Sequence, residues 1–189
     1  MEPTEQELKW TAAIKEAAME DDRINDGTLC DWEYLQHALV AKDKVDDAIR
    51  RIQKMQAFKQ RYCIRLDGSV EEAARDFKAY ELQHAGFMVT VAHREQDDSL
   101  VFCFDYARMM ARRMKTPESV AVMMRTFFYL LQACQHSVQA MRSGFSCLNK
   151  SQGIGWKNVT WQVEELQVDF LSRAYPVRVQ DIIRMCYWS

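Results

Sequence analysis

Cysteine and histidine, residue types that often serve as a catalytic nucleophile and its base, come closest together in this sequence at Cys134 and His136. A thiol beside an imidazole can act as an activated nucleophile. Both residues fall in a predicted helix, however, and side chains two positions apart on a helix point to different faces. We therefore expect Cys134 to pack in the core and His136 to lie on the polar side of its helix.

Metal-binding and phosphate-binding patterns lack the required spacing. His37, His84 and His93 have no zinc-ligand spacing with one another or with cysteines or acidic residues. The segment Gly153-Ile154-Gly155 lacks the third glycine and the directly following helix of a dinucleotide-binding loop. The adjacent acidic residues suit solvent-exposed positions; they are Glu71/Glu72, Asp97/Asp98 and Glu164/Glu165. The sequence therefore predicts no metal site, no cofactor and no enzymatic activity.

Composition narrows the class of protein further. The chain has 189 residues, of which 48% are hydrophobic and 28% charged, so it can bury a sizeable core and is not a disordered sequence. A formal net charge of −2 argues against a dedicated nucleic-acid binder. The acidic N-terminal stretch lacks the order of a signal peptide, no apolar run is long enough to span a membrane, and the six cysteines are scattered. We expect a cytoplasmic protein with reduced cysteines.

The first 83 residues show the periodicity of helices. Thr4 is placed to cap the first helix, a second runs roughly from Asp31 to Lys42, and a third begins after Asp43. Ser69 opens a fourth helix, with Glu72 in capping-box register. The third helix carries an apolar stripe at spacings of three and four, formed by Val45, Ala48, Ile49, Ile52, Met55, Phe58 and Tyr62. We predict an N-terminal helical bundle over residues 1–83.

Charge is divided unevenly within this helical region. Residues 1–33 contain ten acidic and three basic residues, a net charge of −7, whereas residues 34–66 contain three acidic and eight basic residues, a net charge of +5. Charged helix faces most often lie in solvent, where their interactions are weak. We interpret the division as attraction between neighbouring helices of the same chain.

From about residue 84 the periodicity changes to that of an α/β region. Four short apolar segments rich in β-branched or aromatic residues are predicted strands: Phe87 to Ala92, Leu100 to Tyr106, Phe145 to Leu148 and Val179 to Trp188. A long helix is predicted from Pro117 to Gly144, and another from Thr160 to Ala174. Alternating strands and helices are typical of a parallel sheet with crossover helices. We therefore predict an α/β fold, with a mostly parallel sheet and flanking helices over residues 84–189.

The predicted helix over 118–142 is apolar almost all round in its first half. A surface helix needs only one apolar stripe, so this helix must be covered on two sides. Two interpretations are open at this point. The helix is either a central core helix between the sheet and neighbouring helices, or its second face lines a cavity for an apolar ligand.

Several segments resemble the CRAL-TRIO lipid-transfer family over roughly residues 28 to 189. The helices containing Asp31-Trp-Glu-Tyr-Leu and Lys42-Asp-Lys-Val-Asp-Asp-Ala48, followed by Met55-Gln-Ala-Phe-Lys-Gln-Arg-Tyr62, are similar to its N-terminal helical region. The run from Arg142-Ser-Gly144 through Phe145-Ser-Cys-Leu-Asn149 and Gly155-Trp156 to Tyr175-Pro176 is similar in order to its lipid-binding lobe. This resemblance favours the cavity over the plain core.

The resemblance implies non-catalytic binding and intracellular transfer of a hydrophobic lipid in an apolar pocket. Ala41 and Lys42 stand where phosphatidylinositol-transferring members carry an Arg-Lys pair, and Val177 stands in place of an acidic residue. A buried inositol phosphate needs such partners, so the sequence favours a tocopherol-like or retinoid-like ligand. The predicted lipid-binding residues are Val101, Cys103, Met123, Phe127, Leu130, Leu131, Cys134, Phe145 and Cys147.

Two further expectations concern the protein's surroundings. A basic segment is predicted to touch anionic membranes transiently during lipid loading; it contains Arg108, Arg112, Arg113 and Lys115. The last predicted strand runs into Cys186-Tyr187-Trp188-Ser189 with nothing after it to cover the edge, so we expect a chain truncated within an incomplete lipid-binding lobe. The competing hypothesis is a protein-interaction module, or an inactive fragment, that offers the same apolar face and edge strand to a protein partner.

Overall fold

The computed structural model describes residues 2–24, 29–62, 64, 89–96, 98–105, 118, 121, 124–125, 128, 131–132, 135, 137–150, 176 and 179–185. Three helices lie in the described part of the N-terminal region: α1 (Glu5–Glu20), α2 (Asp31–Ala41) and α3 (Val45–Arg61). All three were predicted from the sequence. The helices predicted after Ser69 and from Thr160 to Ala174 lie outside the described residues.

Helix α1 begins at the predicted cap. The Thr4 hydroxyl accepts a hydrogen bond from the Glu7 backbone N–H at 3.3 Å, and the Glu7 carboxylate accepts one from the Thr4 backbone N–H at 2.7 Å. This reciprocal pair is a capping box, which satisfies two backbone donors that the first helical turn leaves without partners. The polar residues at the start of the sequence therefore define where α1 begins.

Helix α2 is the centre of the helical region. All seven residues from Glu33 to Leu39 are buried, including the polar Glu33, Gln36 and His37. One side of α2 packs with α1 and α3 in a cluster that contains Ile14, Ala18, Ile24, Tyr34, Ala38, Ala41, Ala48 and Ile52. Another side packs with a later helix in a cluster of Leu35, Leu39, Val138 and Met141. The extra burial arises because α2 is covered from several directions at once.

The described strands form one four-stranded sheet in the order β1-β2-β3-β4. They are β1 (Val89–Arg94), β2 (Ser99–Asp105), β3 (Phe145–Lys150) and β4 (Val179–Met185). Strands β1 and β2 pair antiparallel, while β2 with β3 and β3 with β4 pair parallel. The antiparallel pair follows from the short connection between β1 and β2, in which Asp98 adopts a positive φ of 57°. Helices and sheet together make the fold a mixed α/β one.

The prediction of a single long helix from Pro117 to Gly144 is wrong. Described helical residues occur between 118 and 132, and a separate short helix, α4 (Val138–Ser143), follows. Ser137 is extended, with φ −139° and ψ 156°, and its hydroxyl accepts a hydrogen bond from the Ala140 backbone N–H at 3.0 Å. Serine competes for backbone hydrogen bonds in this way, which makes it a helix cap rather than an interior residue.

The N-terminal helices α1 and α2 pack directly against the later helix α4. The predicted boundary between residues 83 and 84 lies outside the described residues, but side chains on either side of it make direct contacts. Arg142 of α4 forms two hydrogen bonds with Glu7 of α1, at 2.6 and 2.9 Å. Leu35 and Leu39 of α2 also pack with Val138 and Met141 of α4. None of the described helices is both long and apolar enough to cross a membrane.

Candidate functional site

The two faces of the sheet differ in how far their side chains are covered. Successive residues of a strand point to opposite faces, so Phe102 and Phe145 lie on one face while Val101 and Cys103 lie on the other. Phe102 and Phe145 are fully buried, and their rings meet nearly edge to face with centroids 5.3 Å apart. We call the face that carries Phe102 and Phe145 the closed face, because both rings are fully buried.

The opposite face retains partly exposed apolar side chains. Val101, Cys103 and Leu148 are half-buried, and the parallel register places Cys103 directly opposite Leu148. Ser146 is buried beside them in the register, opposite Val101, and its hydroxyl has no hydrogen-bond partner among the described residues. We call this set, Val101, Cys103, Ser146 and Leu148, the open face. These four residues can offer apolar contact area with a single hydroxyl, and the register places Asp181 of β4 opposite Ser146.

The predicted pocket residues do not share one wall. Val101 and Cys103 belong to the open face, whereas Phe145 belongs to the closed face and Cys147 pairs with Phe102 in the register. Leu131 is fully buried, like Phe145, so neither side chain borders a space that water could enter. The prediction missed this separation because it grouped apolar strand residues without assigning faces, although the period of two is visible in the sequence.

Several predicted residues lie outside the described part of the chain. They are the pocket candidates Met123, Phe127, Leu130 and Cys134 and the basic candidates Arg108, Arg112, Arg113 and Lys115. In the same segment, Met124, Phe128 and Leu131 are buried, at spacings of four and three that form one helical stripe. Phe128 of this stripe lies against α3, since its ring centroid is 5.5 Å from the Lys59 ammonium.

A second polar arrangement lies inside the helical region and was not predicted. Glu33 of α2 and Lys59 of α3 form a buried ion pair, and the other Glu33 oxygen accepts a hydrogen bond from the Cys30 backbone N–H at 3.3 Å. The Lys59 ammonium also faces the Phe128 ring. A signal existed in the sequence: Lys59 falls on the same stripe as Ile52 and Met55, where a charge needs a buried partner.

His37 lies one helical turn after Glu33 and is fully buried. Neither of its ring nitrogens has a hydrogen-bond partner among the described residues. Burial lowers the pKa of His37 to about 3, with further lowering by the positive charges of Lys59 and Arg51. The imidazole is therefore neutral at physiological pH. Next to it, Gln36 donates a hydrogen bond to Gln132 at 3.3 Å, which ties α2 to the segment between 118 and 132.

The buried polar groups hold helices together and present no reactive group to solvent. Arg125 donates a hydrogen bond to the Tyr62 carbonyl oxygen at 3.3 Å and so adds a link from the same segment to the end of α3. In the described part of the chain, no three His, Cys, Asp or Glu side chains converge as metal ligands would. The open face is thus the candidate site for a ligand. No protein-family model matches this chain, and a search of curated proteins finds no match for it either.

Proposed function

We propose that this protein binds a hydrophobic lipid without catalysis and transfers it inside the cell, with the open face of the sheet as part of the binding surface. One observation carries the proposal: Val101, Cys103 and Leu148 stay half-buried on a sheet whose other face is closed by Phe102 and Phe145. The chain itself leaves this apolar area partly exposed. A ligand that removes it from water lowers the free energy by about 25 cal/mol per Å².

The chemistry of the open face favours an apolar ligand with at most one small polar group. Ser146 provides a buried hydroxyl that can donate or accept one hydrogen bond. An anionic headgroup would find no counter-charge among these four residues, and the residue opposite Ser146 in the register is the acidic Asp181. An uncompensated buried charge is costly. The resemblance to the CRAL-TRIO family is the reason for choosing a tocopherol-like or retinoid-like lipid, and it remains a prediction.

Cys103 provides a direct test of ligand position. Its thiol is half-buried on the open face, whereas the Cys30 thiol is exposed at the start of α2 and provides an internal control. The purified chain would be incubated with α-tocopherol or retinol and then treated with N-ethylmaleimide. Peptide mass spectrometry would give the labelling rate of each cysteine. We expect the lipid to slow labelling of Cys103 and to leave the rate of Cys30 unchanged.

A matched pair of variants extends this test to lipid that the protein already carries. Val101→Asp places a carboxylate on the open face, while Ala57→Asp places the same group at an exposed position of α3. Organic extraction and mass spectrometry should recover a near-stoichiometric lipid from the native chain and from Ala57→Asp. We expect at least a tenfold lower yield from Val101→Asp.

The same measurements separate lipid transfer from its main competitor. If the native chain yields no lipid and Cys103 reacts at the same rate with and without the probe lipids, the lipid proposal is wrong. A native chain that is empty but aggregates, or that is stable only with another protein bound, would favour the protein-interaction module instead.

A further inference from the structure

The described large hydrophobic side chains that are exposed to solvent all belong to the N-terminal helices α1 and α2. They are Leu8 at 53%, Met19 at 58% and Trp32 at 37% exposure. Leu8 and Met19 belong to α1, where the exposed Ala12 lies between them at a spacing of four and seven residues. This spacing places Leu8, Ala12 and Met19 along one stripe of the helix surface.

Trp32 extends this stripe towards α2. Lys15, which lies beside Leu8 and Met19 around the helix, donates a hydrogen bond to the Asp31 carboxylate at 2.6 Å. Trp32 follows Asp31 in the first turn of α2, the end of that helix which this ion pair joins to α1. Exposed apolar side chains are ordinary when scattered, but their grouping marks an interaction surface.

Acidic residues border the apolar stripe on its other side. Glu5, Glu16 and Glu20 are exposed and lie on neighbouring helical positions. Glu5 pairs with Lys9 at 2.7 Å, whereas Glu16 and Glu20 have no ion-pair partner among the described residues. Only part of the negative charge of residues 1–33 is thus paired with basic side chains among the described residues. The interpretation that these charges attract neighbouring helices holds for Glu33, which pairs with Lys59 of α3.

The opposite side of α1 is held firmly in place. Ile14 and Ala18 pack in the core shared with α2 and α3, and Glu7 is bound by two hydrogen bonds from Arg142. A helix fixed in this way presents its exposed face with little ordering cost when a partner arrives. We call the exposed set Leu8, Ala12, Met19, Trp32, Glu16 and Glu20 the α1 face.

We propose that the α1 face is a docking surface for a cationic amphipathic helix of a partner protein. Leu8, Met19 and Trp32 would contact the apolar side of that helix, in the mode of a helix that lays its apolar stripe against a complementary surface. Glu16 and Glu20 would face lysines or arginines of that helix, and this is the reason for proposing a basic partner. Such charge pairs make the binding affinity sensitive to salt. This surface is independent of the open face of the sheet.

A defined peptide tests the proposal by fluorescence anisotropy. The probe is a labelled synthetic helix of leucine and lysine with its leucines on one side, and the titrated protein is the full chain. We expect saturable binding that weakens when sodium chloride is raised from about 0.05 M to about 0.5 M, because salt screens surface charges. The same peptide with glutamate in place of lysine should not bind.

Variants at exposed positions then assign the binding to this surface. Leu8→Ser with Met19→Ser, and separately Glu16→Lys with Glu20→Lys, should each weaken binding on the order of tenfold or more. Gln6→Ala with Ala13→Ser changes exposed positions of the same helix outside the α1 face and should leave binding unchanged. Circular dichroism would verify that every variant keeps the native helix content.

Three outcomes would overturn the proposal. The native chain would fail to bind the cationic peptide, or all variants would bind it equally, or the glutamate peptide would bind as well as the lysine peptide. Binding of the α1 face to phosphatidylserine vesicles, lost in the Leu8→Ser and Met19→Ser variant, would also contradict it and would assign the surface to a membrane. None of these results depends on whether Cys103 is protected by a lipid.

Discussion

At the scale of single residues, the least expected feature is the environment of His37. The positive charges of Lys59 and Arg51 on α3 both disfavour its charged form, while the Glu33 carboxylate one turn away is already paired with Lys59. A buried imidazole without a hydrogen-bond acceptor costs about 1–3 kcal/mol relative to one with partners. The missing partners of His37 therefore lower the stability of the folded chain. Protonation of the buried imidazole at low pH would lower it further.

The first prediction is that His37 makes the fold sensitive to mild acid. Its pKa is about 3 in the folded chain and near the ordinary histidine value of 6.5 when unfolded. Because the folded pKa is lower, stability is present above about pH 6.5 and is lost as pH falls from there towards 3. Between about pH 7 and about pH 5 the loss from this residue should be about 2 kcal/mol.

Urea denaturation at both pH values measures this loss. His37→Leu removes the titrating group while keeping an apolar side chain of similar size, so its unfolding free energy should change about 2 kcal/mol less than that of the native chain between about pH 7 and about pH 5. Equal losses in both proteins would show that His37 does not carry the acid sensitivity.

At the scale of elements, the break between the 118–132 segment and α4 decides where later side chains point. Ser137 caps α4 through its bond from Ala140 and also donates a hydrogen bond to the Asp98 carboxylate at 2.5 Å. The second bond ties the start of α4 to the turn between β1 and β2. A continuous helix through this point would rotate Met141 and Arg142 away from α2 and α1.

The second prediction concerns this cap. Ser137→Ala removes both hydrogen bonds, and loss of a helix cap alone costs about 1 kcal/mol. Ser137→Thr keeps a hydroxyl that can act in the same way and should retain most of the stability. Thermal denaturation followed by circular dichroism would compare the two variants. Equal decreases in melting temperature for Ser137→Ala and Ser137→Thr would show that the hydroxyl does not stabilise the break between the 118–132 segment and α4.

At the scale of the whole molecule, the contact between Glu7 and Arg142 joins parts of the chain that are 135 residues apart. Arg142 also donates a hydrogen bond to the Glu2 carbonyl oxygen at 3.2 Å, so one guanidinium holds the start of α1 at three points. The hydrogen bond from Arg142 is the main reason that the pKa of Glu7 falls to about 2; burial acts in the opposite direction.

The third prediction follows from this pairing. The pKa of Glu7 is lower in the folded chain than the ordinary glutamate value of 4.5, so its stabilisation is present above about pH 4.5 and is lost as pH falls towards 2. Glu7→Gln should cost about 2 kcal/mol of unfolding free energy near neutral pH, once solvent screening is allowed for.

A matched variant makes this result specific. Glu5 lies in the same first turn and pairs with Lys9, but its side chain is 85% exposed. Glu5→Gln should therefore change the unfolding free energy by less than about 0.5 kcal/mol. Chemical denaturation near neutral pH and near pH 3 would compare both variants with the native chain. A difference between Glu7→Gln and the native chain that does not shrink in acid would contradict the assigned pKa.

Much of the fold could be predicted because it is encoded locally. Thr4 with Glu7, the apolar stripe of α3 and the β-branched runs around Val91 and Val101 each carry their signal within a few residues. The break at Ser137 was missed although its cue is also local, because an apolar pattern on both sides outweighed one serine. The candidate site was predicted less well, since Val101 and Phe145 were assigned to the same pocket and lie on opposite faces of the sheet.

The sequence by itself therefore determined the helices of the N-terminal region, the four strands and the mixed α/β class, because backbone preference and hydrophobic period act over short distances. Only the tertiary structure decided which groups meet. Glu33 pairs with Lys59, which is 26 residues away in the sequence, and Glu7 pairs with Arg142, which is 135 residues away. No local pattern specifies such pairs, since they depend on how helices and sheet pack, and packing also decides which sheet face is closed and which side of α1 stays exposed.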